Sequence, residues 1–119
     1  MSERISRLAL QIRRELSELV AREVKDPRVQ EASLVTVTHV RLADDLGVAD
    51  VLVSVVGGDG AAVVKALGRA AGFLRGELGR RLRTKKIPTL RFHIDQTEDQ
   101  AEKIDALLKE IHDEDARRT

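Results

Sequence analysis

The residues of this chain best suited to chemistry are basic side chains concentrated in its middle third. Residues 62–92 hold nine Lys and Arg residues against one Glu, a net charge of +8. Charges this dense repel one another, so stability alone does not explain them, whereas guanidinium groups match phosphate oxygens. We therefore predict a polyanion-binding surface. Its candidate basic residues are Lys65, Arg69, Arg75, Arg80, Arg81, Arg83, Lys85 and Lys86.

The end of the chain carries the opposite charge, which leaves an alternative open. Residues 93–119 hold nine acidic and four basic residues, a net charge of −5. The basic side chains could pair with carboxylates of this segment, which could screen them in the free protein. Arg4 and Arg7 of the N-terminal segment could extend the basic surface. However, acidic residues lie among them at pairing distance and favour an ordinary exposed face.

Enzymatic catalysis has no constellation of residues on which to rest. The chain has no cysteine, which excludes disulfides, thiolate metal sites and thiol nucleophiles. His39, His93 and His112 are scattered, without the spacing of a metal site. The glycine-rich residues 57–60 lack the Lys-Ser/Thr pair of a phosphate loop. We therefore expect no enzyme, no cofactor, no metal and no small-molecule substrate.

Two further compositional features limit the choice of partner and compartment. With two Phe, no Trp and no Tyr, a nucleic-acid surface cannot rely on extensive aromatic stacking. Charged side chains lie among the apolar residues of the first ten positions, which argues against a signal peptide. No stretch of the sequence approaches the roughly 20 apolar residues that a membrane span needs. A cytoplasmic protein without a membrane partner is the expectation.

Hydrophobic periodicity predicts the elements that must position the basic residues. A three-to-four-residue repeat predicts a first helix that runs to about Val24 and stops at Asp26-Pro27. Alternation predicts one strand at 34–42, a second around 49–55 that pairs with it as a hairpin, and a third at 89–95. On the first strand, strict alternation places Val37 on the opposite face from Val40. A last amphipathic helix is expected at 97–111. The order α-β-β-α-kink-α-β-α predicts an α+β domain in which helices cover a three-stranded sheet.

The helical pattern between the second and third strands contains a predicted break. Four glycines lie in residues 68–79, and each costs a helix interior about 1 kcal/mol relative to Ala. We predict a kink at Ala70-Ala71-Gly72, with a helix restarting after Gly72 and offering its N–H groups to an anion. The alternative is that these small residues allow close packing. Phe73, Leu74, Leu78 and Leu82 are expected to anchor the inner face of the second helix.

Several motifs, in order and spacing, resemble the bacterial ribosome-binding factor A family over about residues 2–112. They are Val24-Lys25-Asp26-Pro27-Arg28, the strand Val35–Val40, the turn Asp44–Val51, Ala70-Ala71-Gly72-Phe73-Leu74-Arg75 and Ile87–Asp95. The acidic C-terminus departs from relatives that carry a longer extension there.

The resemblance implies a type II KH-like fold in which an Ala-x-Gly kink, here Ala70-Ala71-Gly72, replaces the usual GxxG loop. It implies an assembly factor that binds the small (30S) ribosomal subunit and its 16S rRNA near the 5′-terminal helix during late maturation, with a link to growth in the cold. Residues 1–112 would form one RNA-binding domain, a monomer when free, and residues 113–119 a polar tail. A generic KH-like RNA-binding module and a protein-interaction adaptor stay open as alternatives.

Overall fold

Four helices and three strands make up the part of the chain that the structure, a computed structural model, describes, residues 3–95. In chain order they are α1 (Glu3–Glu23), α2 (Pro27–Glu31), β1 (Leu34–Leu42), β2 (Val48–Val56), α3 (Gly60–Arg69), α4 (Ala71–Arg81) and β3 (Thr89–Ile94). The predicted α+β class is confirmed, and so is the order of the predicted elements as far as β3. The predicted last helix at 97–111 lies outside the described residues.

The sheet has the strand order β1-β2-β3. β1 and β2 pair antiparallel as the predicted hairpin. β2 and β3 pair parallel, so the chain must cross from one end of the sheet to the other between them. The pair α3 and α4 makes this crossover, and it carries most of the candidate basic residues.

The core lies between the sheet and α1, α3 and α4. On α1 the side chains of Ile12, Leu16 and Leu19 are fully buried, as the helical repeat predicts. They pack in one cluster with buried residues of β2 such as Val51 and Val53. Within residues 3–95 no helix combines the length and the apolar character that crossing a bilayer requires.

The expectation of strict alternation along β1 is wrong at Thr38. Val37 pairs with Val53 while His39 pairs with Leu52, so Thr38 is an extra residue in a β-bulge. The extra residue shifts the face by one position, which lets Val37 and Val40 both pack towards the core. The Thr38 hydroxyl donates to the carboxylate of Asp95, at 2.5 Å. This bond ties the bulge to the end of β3.

Asp26-Pro27 does more than stop α1. Asp26 is the N-cap of the short helix α2, and its carboxylate accepts a hydrogen bond from the backbone N–H of Arg28 at 2.9 Å. Pro27 occupies the first helical position, where its missing N–H costs nothing. α2 was not predicted, because its five residues are too few to show a helical repeat.

Candidate nucleic-acid interface

The crossover bends at a single residue, Ala70. Its φ of −86° and ψ of −1° lie outside regular helical values, and α3 ends before it while α4 begins after it. Its N–H donates to the carbonyl of Ala66, and its own carbonyl accepts from the N–H of Leu74. The predicted break is thus confirmed, although α4 begins at Ala71 rather than after Gly72. Among residues 3–95, no side chain caps the start of α4.

Three glycines on this crossover have no packing role among the described residues. A Cβ added at Gly68, Gly72 or Gly76 would meet no side chain and no other segment of residues 3–95 within 4 Å. Their four-residue spacing places them on one side of the bent helix. Close packing against residues 3–95, the alternative expected from the sequence, therefore does not explain Gly72. In this part of the chain the three glycines form a strip of exposed backbone beside the kink, which we call the glycine strip.

Arg81, at the end of α4, is bound within the protein. Its Nη1 donates to Glu15 Oε2 at 2.9 Å and to Glu18 Oε2 at 3.2 Å, and both carboxylates belong to α1. The hydrogen bond to Glu15, with the charges of both carboxylates, raises the pKa of the Arg81 guanidinium above its ordinary value. This side chain links α4 to α1, and its two partners lie more than 60 positions away in sequence.

Arg75 and Lys86 also make intramolecular contacts. Arg75 donates from Nε and Nη2 to the backbone carbonyl of Ile87, at 3.1 and 2.9 Å. Lys86 Nζ donates to the carbonyl of Asp45 at 2.9 Å, in the turn between β1 and β2. These contacts fix the segment between α4 and β3 against two neighbouring elements. Both side chains are exposed, and no carboxylate among residues 3–95 pairs with them, so their positive charges are not neutralised by these contacts.

The remaining candidate cations are less constrained. Lys65, Arg83 and Lys85 are exposed and form no ion pair within the described part of the chain. Arg80 pairs with Glu77 at 3.2 Å but keeps 80% of its side chain exposed. Arg69 lies 3.6 Å from Asp26, with half of its side chain exposed. Exposed ion pairs of this kind contribute little free energy, so a phosphate can compete with the carboxylates for these cations.

The candidate residues do not form one compact patch. Lys65, Arg69, Ala70 and Gly72 lie at the kink, whereas Arg83, Lys85 and Lys86 follow the far end of α4. Because α4 has 11 residues, the two groups are separated by about 16 Å of helix. Arg75, Arg80 and Arg81 lie along the helix between them. The predicted site residues therefore extend along the whole of α4, with one group at the kink and another beyond the far end of the helix.

The expectation that Phe73 anchors the inner face of α4 is wrong. Leu74, Leu78 and Leu82 are buried as predicted, but Phe73 is 49% exposed and lies next to Gly72 at the kink. A leucine repeat at four-residue spacing already fills the inner face, so its neighbour by one position must point elsewhere. That spacing was the signal that could have placed Phe73 outside. An exposed aromatic ring beside basic residues is suited to stacking on a base.

The other titratable groups in residues 3–95 do not form a metal site. No group of three His, Asp or Glu side chains is gathered there in a way that could hold a metal ion. His93 Nε2 lies 2.8 Å from Asp50 Oδ1, and Arg91 approaches the same carboxylate at 3.5 Å. Both are exposed contacts between neighbouring strands. His112 lies outside the described residues.

Comparison with known proteins gives consistent matches over most of the chain. The family model described as ribosome-binding factor A matches residues 4–108. A protein named ribosome-binding factor A from Polaromonas sp. is 48% identical over 102 residues, which cover 86% of this chain and 81% of the relative. The match therefore includes both the kinked crossover and the first helix.

Solved structures similar to this fold carry the same name. The crystal structure of ribosome-binding factor A from Thermus thermophilus has a TM-score of 0.67 and 33% identity, covering 76% of this chain and 94% of that one. A homology model of the Thermus thermophilus factor, fitted into the cryo-EM map of a 30S–RbfA complex, has a TM-score of 0.63 with the same identity and coverage. The predicted KH-like fold is confirmed by these neighbours.

Proposed function

Because the chain belongs to the ribosome-binding factor A family, we propose that it is a ribosome assembly factor that binds the small (30S) ribosomal subunit. We place the contact on 16S rRNA near its 5′-terminal helix, and the action in late maturation of the subunit. The similar Thermus thermophilus factor, fitted into a map of a 30S complex, supports the choice of partner. The protein would act in the cytoplasm as a monomer, with residues 1–112 as its RNA-binding domain and no cofactor.

The observation that carries this proposal is the exposed glycine strip beside the kink. Each glycine in a helix costs stability, and nothing among the described residues fills the space above Gly68, Gly72 or Gly76. An external ligand that needs close backbone approach explains the choice, as glycine does in other phosphate-binding turns. A sugar–phosphate chain could lie along the strip, with Lys65, Arg69 and Arg80 beside it and Phe73 at the bend.

The proposed mechanism is binding without chemistry. The free cations attract the rRNA backbone from a distance and neutralise its phosphates on contact. The bonds of Arg75 and Arg81 to other elements hold the bent helix in place beforehand, so little ordering is needed on binding. The bound factor would favour one conformation of the immature subunit. RNA contact through phosphates and shape predicts little dependence on base sequence at the kink.

The test is co-sedimentation with purified small subunits. The test variant reverses four weakly constrained cations of the crossover and the segment after it: Lys65→Glu, Arg69→Glu, Arg80→Glu and Lys85→Glu. We expect the subunit affinity to fall about a hundredfold or more, while the melting temperature changes little. Arg81 and Lys86 are left in place, because their loss would disturb the fold as well as the surface.

A matched control makes the same change in net charge elsewhere. It reverses four exposed arginines on α1, α2 and β1: Arg13→Glu, Arg14→Glu, Arg28→Glu and Arg41→Glu. The control should bind subunits more tightly than the test variant by at least about tenfold, because only general charge attraction is reduced. Unchanged co-sedimentation of the test variant, or equal losses for both variants, would overturn the proposed surface.

A further inference from the structure

A cleft at the far end of α4 from the kink shares only Arg83 with the candidate RNA-binding residues. It lies where the first two turns of α1, the turn between β1 and β2, and the segment after α4 meet. Its volume is about 580 Å³, within the range of small-ligand sites. We call it the arginine cleft, defined by Arg4, Arg7, Arg83, Leu8, Leu46 and Asp44.

Three arginines from two distant parts of the sequence line the arginine cleft. Arg4 and Arg83 are exposed and form no ion pair within residues 3–95. Arg7 contacts Glu3 at 2.8 Å, but both side chains are more than three-quarters exposed, so this pair is weak. Like charges that line one cleft repel one another in the free protein. A phosphate at the mouth of the cleft would relieve this repulsion.

The apolar floor of the cleft depends on an unusual backbone conformation. Leu46 has a φ of +60°, in the left-handed region where Gly, Asn or Asp normally stands. The turn holds it there through the bond from Leu46 N–H to Ala43 O and the bond from Gly47 N–H to the Asp45 carboxylate. Lys86 fixes the same turn from the other side. The chain thus maintains a costly conformation that places a leucine side chain in the cleft beside Leu8.

The cleft combines cations, an apolar floor and a single carboxylate. An apolar surface under a guanidinium plane is suited to bind a flat nucleobase. The guanidinium groups are suited to bind the phosphates of the same nucleotide. Asp44 is exposed at the rim and, when ionised, can only accept hydrogen bonds. Guanine offers a carboxylate two adjacent donors on its Watson–Crick edge, whereas uracil offers one.

We propose that the arginine cleft binds one unstacked guanosine nucleotide of a single-stranded RNA segment. The base lies on Leu8 and Leu46, Asp44 accepts from its Watson–Crick edge, and Arg4 and Arg83 contact the flanking phosphates. This inference rests on the proposed function, since it names a second, base-selective contact with the same class of ligand. It gives the protein a sequence preference that the phosphate contacts at the kink do not provide.

The test compares two fluorescent heptaribonucleotides, one of uridine alone and one with a single central guanosine. Fluorescence anisotropy should show that the wild-type protein binds the guanosine-containing RNA about tenfold more tightly, the effect of one good two-bond base contact. Asp44→Asn should remove this preference, because the amide presents a donor to a donor. Glu31→Gln, which removes an exposed carboxylate from α2, should retain it.

A second pair of variants tests the phosphate contacts. Arg4→Ala should weaken binding of both RNAs by severalfold, and Arg41→Ala, which removes an exposed arginine from β1, should not. Equal affinity of the wild type for the two RNAs, or a guanosine preference that survives in Asp44→Asn, would overturn the inference. Asp44 and Arg4 are both exposed, so their variants are expected to fold, and circular dichroism would verify that they do.

Small-subunit co-sedimentation separates failure of this inference from failure of the proposed function. If wild-type protein sediments with subunits but shows no guanosine preference, the arginine cleft is refuted and the subunit-binding proposal stands. If it prefers guanosine but does not sediment with subunits, the proposed function is refuted and the cleft stands.

Discussion

The kink and the later part of α4 carry the same kinds of basic residue but use them differently. At the kink, the glycine strip is exposed and Lys65 makes no ion pair among the described residues. Further along the helix, Arg81 contacts two carboxylates of α1 and Arg75 is bound to the Ile87 carbonyl. The kink is open to a ligand, and these two arginines fix the helix that presents it. A cluster of positive charge in a sequence therefore need not be one functional unit.

The buried leucines of α4 serve both ends, so their loss should have the largest effect. Leu78 is fully buried, and Leu78→Ala should lower the free energy of unfolding by about 2–5 kcal/mol, measured by urea denaturation. The matched variant Phe73→Ala should lower it by less than about 1 kcal/mol, because half of that side chain already lies in solvent. Similar losses for the two variants would mean that the kink is packed like the core.

Replacing glycine by alanine should raise the free energy of unfolding at one position and lower it at another. Gly76→Ala should raise the free energy of unfolding by about 0.4–1 kcal/mol, because alanine is the better helix former and the site has space. It should at the same time weaken RNA binding. Gly57→Ala should instead destabilise by about 1 kcal/mol or more, since Gly57 has a φ of +68° and an added Cβ would collide with Ser33.

The outcome for Gly76 is decisive for the glycine strip. A stabilised variant with unchanged RNA affinity would show that the space beside the helix is not used by the ligand. A destabilised variant would show that the strip is covered by some other part of the chain.

Single arginine substitutions at the far end should give the smallest effects. Arg81→Ala should lower the urea midpoint, and this loss should shrink in high salt, because the ion pairs with Glu15 and Glu18 are screened. Arg80→Ala should leave the midpoint unchanged within error, since its pair with Glu77 is mostly in solvent. An equal shift of the urea midpoint for both variants would show that Arg80 and Arg81 do not differ in how firmly the protein holds them.

The Arg81 contact should not respond to pH in the neutral range. The pKa of Arg81 is raised in the folded protein, so the guanidinium is charged throughout the neutral range and its contribution is lost as pH rises through the folded value. The folded and unfolded values are both strongly alkaline. The difference in urea midpoint between wild type and Arg81→Ala should therefore be the same at about pH 6 and about pH 9.

Local patterns in the sequence predicted most of the fold. The apolar repeat of α1, the hairpin and the strand after Pro88 all depend on spacing between near neighbours, and each was found where expected. The break at Ala70 was predicted from glycine content, which reports directly on helix stability. Local rules missed Thr38, because nothing in an alternating strand marks which residue the partner strand will skip.

The candidate site was less predictable than the fold. The basic residues could be named, but their division into fixed and free cations depends on contacts across long separations. Glu15 and Glu18 looked like ordinary residues of an exposed helix, and only the fold brings them to Arg81. The sequence pointed to the C-terminal segment as the source of neutralising carboxylates; α1 supplies two of them. The arginine cleft likewise joins residues from opposite parts of the chain.

The parallel pairing of β2 with β3 has a consequence for how this protein is made. The β1–β2 hairpin joins near neighbours and can form early, whereas β3 can pair only after residues 57–88 have been synthesised and folded back. On the ribosome, the cation-bearing crossover would therefore lack its packing against β3 until that strand leaves the exit tunnel. A nascent chain that stops before Thr89 should hold the kinked helices less firmly, because only their contacts with α1 and the other earlier elements can form, so full RNA-binding competence would arrive together with β3.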